Sequence, residues 1–82
     1  MYTVYMKFVK IAGWYGLIAL LAAFMFATLG AIPYGGWAYV ILNITGAAGI
    51  AANALARKDY PAGVLNLVWI AIGLVGLAKL LH

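Results

Sequence analysis

Cysteine, serine, glutamate and glutamine are absent from the 82 residues, and aspartate and histidine occur once each. Without a thiol there is no disulfide framework, no thiolate nucleophile and no thiolate metal site, and the redox compartment is left unmarked. The one aspartate, Asp59, sits in a basic loop and the one imidazole is the last residue, His82. No acid, base and nucleophile can therefore be brought together, and an enzyme is not expected. A terminal histidine is more often a polar end, or the start of a purification tag, than a ligand for a metal or pigment. No metal and no cofactor are expected. Charge is scarce as well, at 7% of residues. The net charge of +4 comes from five dispersed cations, which lack the clustered stripe that phosphate backbones require, so nucleic acid is not a partner.

What fills the chain instead is hydrocarbon. Seventy per cent of residues are apolar and the mean hydropathy is +1.13, outside the range of water-soluble domains. Uncharged runs cover residues 11–56 and 60–78, and a spanning helix needs about 20 apolar residues to cross about 30 Å. The first run holds two spans and the second holds one. Lys7 and Lys10 ahead of an apolar stretch resemble a signal peptide, but the stretch exceeds the apolar core of such a peptide and no clean small-x-small site follows. It reads as a retained first span.

Gly30, Pro33, Gly35 and Gly36 cluster in LGAIPYGGW, an uncharged tight turn. The second connection, ARKDYPAG, carries all the local charge, with Asp59 or Tyr60 as cap and Pro61 in the first turn of the next helix. The expected fold is all-α: one domain over residues 1–82, with transmembrane helices at about 10–29, 37–56 and 61–81, forming a small bundle. Trp14, Tyr15, Tyr34, Trp37, Tyr39 and Tyr60 fall near span ends, where amphipathic rings favour the headgroup zone. Trp69 does not, lying about 12 Å beyond Pro61.

Three spans place the amino terminus and the 57–60 loop on one face, gathering Lys7, Lys10, Arg57 and Lys58 there against Lys79 on the other. The positive-inside rule then puts that face in the cytoplasm and the carboxyl terminus in the periplasm, in a bacterial inner membrane.

Three asparagines stand out in this setting. An unpaired amide in hydrocarbon costs several kcal/mol, so Asn43, Asn53 and Asn66 are expected to face protein or a wet cavity. With the second turn centred between Asp59 and Tyr60, Asn53 and Asn66 come to one depth as candidate partners. Asn43 lies about 10 Å inside its helix, level with Gly76. Small residues surround these positions, with Gly46, Ala47, Ala48, Gly49, Ala51 and Ala52 in the second helix and Gly73 and Gly76 in the third. The pairs Ala47/Ala51 and Ala48/Ala52 have the small-xxx-small spacing that lets helix backbones approach. Helical spacing puts Asn43, Gly46, Ala47, Ile50 and Ala54 on one face, and Asn66, Ile70, Gly73 and Leu77 on another. One small-residue face is expected to meet a second subunit.

Each asparagine as interhelical glue is worth about 0.6 to 2 kcal/mol, and Asn53 is read that way. Asn43 and Asn66 with Trp69 are also candidates for a small-molecule pocket. No ionisable group lies within a span, which disfavours ion-coupled transport.

GWYG at 13–16, NITG at 43–46 and RKDYPAGVLNLVW at 57–69 resemble a family of small bacterial three-span membrane proteins without assigned function, over nearly the whole chain after Lys10. The most specific part is Pro61, Asn66 and Trp69 at fixed spacing, with Asn43 upstream. More distantly, the arrangement is similar to SemiSWEET and PQ-loop transporters, whose three-helix units pair into a six-helix sugar carrier. That likeness implies that Asn66 matches a pocket asparagine of their third helix. The proline-glutamine hinge of their first helix has no counterpart in residues 11–29. Two functions are thus in view: a homodimer that moves a small neutral solute, and a non-catalytic accessory subunit docked onto a larger membrane complex.

Overall fold

The computed structural model describes residues 2–81, so His82 lies outside the described residues. Three α-helices, α1 (Tyr2–Thr28), α2 (Trp37–Ala56) and α3 (Tyr60–Leu80), account for the architecture, with no strand among the described residues. Each is long and apolar enough to cross a bilayer, and the chain is a multi-pass membrane protein on those grounds. α2 has the expected bounds and α3 lies within a residue of them. α1 differs, beginning at Tyr2 rather than near Lys10. Residues 2–9 contain neither glycine nor proline, and lysine is a good helix former, so charge marks where hydrocarbon ends and not where the helix does.

Both turns use the same device. After α1, the Ala31 N–H reaches back to the Phe26 carbonyl at 2.8 Å and the Gly30 N–H to Ala27 at 3.2 Å, a Schellman stop in which Gly30 takes φ +82°. After α2, the Asp59 N–H reaches Ala54 at 2.8 Å and the Lys58 N–H reaches Leu55 at 3.1 Å. Here the left-handed position is filled by Lys58 at φ +60°, where glycine is usual. Asp59 then caps α3, its carboxylate accepting from the Ala62 N–H over a long 3.5 Å, and Pro61 lies in the first turn. In the first loop, Gly35 takes φ +74° in a turn closed from the Gly36 N–H to the Pro33 carbonyl at 3.2 Å. Tyr34 ties that loop down through its hydroxyl to Thr28 Oγ1 at 2.9 Å and an edge-on ring contact with Tyr39.

α1 and α3 each pack against α2 and not against one another. α2 is therefore the central helix, and its circumference is divided. Towards α1 it presents Gly46, Gly49 and Asn53, where Gly16 sits against the Gly46 carbonyl and the Ile50 backbone, and Gly49 against the Ala12 carbonyl. Ala19, Ala23 and Ala27 continue the buried line along α1. Towards α3 it presents Val40, Ile44 and Leu55, which lie against Gly76, Gly73 and Gly63. Among the described residues, no side chain larger than valine is buried at the residue level, and Asn66 is the buried polar one. Close backbone approach over small residues, the way helices associate where lipid removes the hydrophobic drive, holds the fold. Leu21, Phe24, Ile72 and Val75, among many others, face outward, a surface suited to acyl chains.

Candidate functional site

Asn43 and Trp69 meet across the α2–α3 seam. The indole Nε1–H donates to Asn43 Oδ1 at 3.0 Å, while Asn43 Nδ2 donates to the Tyr39 carbonyl one turn back at 2.8 Å. The two side chains border a cleft of about 260 Å³, with Tyr39, Ile72, Gly73 and Gly76 completing its wall. Gly76 makes the space, since a Cβ there would meet only Val40 Cγ2 at 3.8 Å, whereas the room at Gly73 is taken by Ile44. Asn43 and Gly76, expected at one depth, share this cleft.

Asn66 does not join them. It is buried in the α2–α3 seam at 8% exposure, with Nδ2 donating to its own helix at Ala62 O, 2.9 Å away. The expected Asn53–Asn66 pair does not form either. Asn53 faces the opposite neighbour: its Nδ2 donates to the Val9 carbonyl of α1 at 3.0 Å, and its Oδ1 accepts from Arg57 Nε at 3.0 Å. Gly13 seats this amide, because a Cβ there would lie 2.8 Å from Asn53 Cγ. The register shifts too. The turn 57–59 is centred on Lys58, not between Asp59 and Tyr60, and this brings Asn66 about level with Ile50.

Among the residues expected to pack helices, Gly46, Ala47, Ala51, Asn53 and Gly73 lie in the two seams and Gly76 lines the cleft. Ala48 and Ala52 are exposed and face away from both neighbours. Beside them Thr45 donates to the Ile41 carbonyl at 2.8 Å, which leaves its oxygen to accept the Tyr15 hydroxyl at 2.7 Å. Tyr15, expected in the headgroup zone, is thus a cross-link between α1 and α2 about 12 Å into α2.

A second cleft, of about 350 Å³, opens between α1 and α2 at their charged ends, lined by Lys10, Trp14, Leu17, Ile50, Asn53 and Arg57 over a floor at Gly13. In the sequence Lys10 and Arg57 stand as topology markers, 47 positions apart, with nothing that joins them. The i, i+4 spacing of Asn53 and Arg57 on one helix face is the signal that could have linked the amide to the cation. Among the described residues, no buried side-chain nitrogen or oxygen is left without a partner.

The sequence model of an uncharacterised protein family matches residues 9–82. No curated protein and no solved structure matches the chain.

Proposed function

The chain belongs to that uncharacterised family, and on this premise we propose that it is a non-catalytic membrane protein that pairs with a second copy and holds a small neutral solute between the two Asn43–Trp69 clefts. The observation behind this reading is the hydrogen bond from Trp69 to Asn43 at the edge of a nearly apolar cleft. One cleft of about 260 Å³ falls below the roughly 300–1,000 Å³ of ordinary ligand sites. Two facing clefts fall within it. A solute hydroxyl or amide can exchange with the indole at Asn43 Oδ1, so the site is polar at one point and apolar elsewhere, as such sites generally are. Asn66 supports α3 from the seam in this scheme and does not touch solute.

The topology that goes with it puts the amino terminus and the 57–60 loop in the cytoplasm of a bacterial inner membrane, with the carboxyl terminus outside. Lacking the proline-glutamine hinge of SemiSWEET-type carriers, the dimer facilitates passage without their hinge motion.

Flux of small polyols and amides into vesicles containing the purified protein, compared with protein-free vesicles, tests the proposal. The expected result is a solute-selective flux that Asn43→Leu lowers about tenfold, the loss of about 1.4 kcal/mol of binding. Absence of flux for every solute overturns it.

A second reading is favoured by Ala48 and Ala52, two small residues on the outward face of α2 that let another helix come close. In that reading the chain is an accessory subunit of a larger membrane complex. Native purification then recovers unlike subunits in fixed ratio, and Ala48→Leu with Ala52→Leu releases them.

A further inference from the structure

The cleft between α1 and α2 repeats one chemical order on both of its walls. Along α1, moving inward, come a cation (Lys10), an indole (Trp14) and an aliphatic side chain (Leu17). Along α2 come a cation (Arg57), an amide (Asn53) and an aliphatic side chain (Ile50). Each wall passes from charge to hydrocarbon within seven residues, about 10 Å. A phospholipid makes the same passage from phosphate through glycerol and ester to acyl chain. Trp14 sits where the polar and apolar regions meet, the depth that tryptophan favours.

The cations are also available and oriented. Arg57 Nε is held by Asn53 Oδ1 at 3.0 Å, and Asn53 is itself fixed to the Val9 carbonyl. One edge of the guanidinium is thereby tied down, and the planar fork that suits phosphate oxygens is pre-set. The one side-chain carboxylate of the chain, Asp59, is turned to the Ala62 N–H at the start of α3. Two positive charges therefore border the cleft, and Asp59 is not among the residues that line it.

We infer that this cleft is a binding site for an anionic phospholipid, its phosphate between Lys10 and Arg57 and one acyl chain descending past Trp14 along Leu17 and Ile50. A headgroup of net negative charge is selected over a zwitterionic one, because a choline or ethanolamine cation would be brought up to Lys10 and Arg57. The site is independent of solute transport and of oligomeric state.

The test uses the full chain in vesicles of dioleoylphosphatidylcholine containing either dibrominated phosphatidylglycerol or dibrominated phosphatidylcholine at equal mole fraction. Bromine quenches nearby indoles, and the part due to Trp14 is the difference between the native chain and Trp14→Phe. The expected result is stronger quenching of Trp14 by the brominated phosphatidylglycerol. Lys10→Gln or Arg57→Gln each lowers the preference for the anionic lipid about fivefold, whereas Lys7→Gln and Lys58→Gln, which remove the same charge outside the cleft, leave it in place. Helix content measured by circular dichroism checks that every variant remains folded. Equal quenching by both lipids overturns the inference. So does an equal loss on Lys7→Gln, which marks a diffuse field, or displacement of the lipid by millimolar inorganic phosphate, which marks a site for a soluble anion.

Discussion

Asn43 and Asn53 lie on one helix, yet one serves α3 and the other α1. Ten residues separate them, which at 100° per residue sets them about 80° apart around the axis, enough to aim them at different neighbours. That angle was legible in the sequence, and so was the rule that amides in hydrocarbon turn inward. The partners were not legible. Hydropathy and turn position give depth in the membrane, but they leave open on which side of α2 each neighbour stands, and an equal-depth argument paired Asn53 with Asn66. Tyr15 was missed for a related reason: an aromatic near a span end fits the headgroup zone equally well, and only the seam shows its hydroxyl on Thr45.

These polar contacts differ in weight. Trp69→Phe removes one hydrogen bond from a half-exposed indole and is expected to lower stability by about 0.6 kcal/mol, near the mean for such bonds in membranes. Asn53→Leu removes two hydrogen bonds and puts a branched side chain over Gly13. Its loss is expected to be larger, about 2 kcal/mol or more. Unfolding in mixed micelles of rising denaturing-detergent fraction orders the two variants. Equal losses would contradict the greater weight of the two hydrogen bonds made by Asn53.

The elements follow from their ends. α2 and α3 were bounded correctly because glycine, proline and an aspartate cap punctuate them. The start of α1 is not legible in the same way, because Lys7 and Lys10 mark the end of hydrocarbon and not of the helix. The two Schellman stops offer a direct comparison, since the same hydrogen bonds close around glycine in one and lysine in the other. A left-handed L-residue costs about 1–2 kcal/mol. Lys58→Gly is therefore expected to stabilise the protein by about 1 kcal/mol, and Gly30→Ala to destabilise it by about the same amount. Both shifts are read from the same detergent titration. A destabilised Lys58→Gly would mean that the charge of Lys58 outweighs its backbone strain.

Seen whole, the molecule is a central helix with two neighbours that do not meet. Each seam depends on residues too small to show as hydrophobic anchors. Gly16, Gly46 and Gly49 on one side and Gly63 and Gly73 on the other were recognisable as small, but not as members of separate seams. The outward position of Ala48 and Ala52 was invisible for the same reason, since spacing alone treats Ala47/Ala51 and Ala48/Ala52 alike. The clefts are products of this arrangement: Gly76 leaves room beside Asn43, and the ends of two seam-forming helices bring Lys10 and Arg57 to one cleft.

The central claim is that α2 turns Asn53 to α1 and reserves a separate face for α3. A chain without cysteine allows this to be measured by paired cysteines in the membrane. A Cβ added at Gly13 would lie 3.1 Å from Asn53 Cβ, so a backbone adjustment of a few tenths of an ångström brings the pair into the roughly 3.5–4.5 Å of a disulfide. Under mild oxidation the pair Gly13→Cys with Asn53→Cys is predicted to close readily, while Asn53→Cys with Asn66→Cys stays reduced. Closure of the 53–66 pair with the 13–53 pair left open would contradict the account.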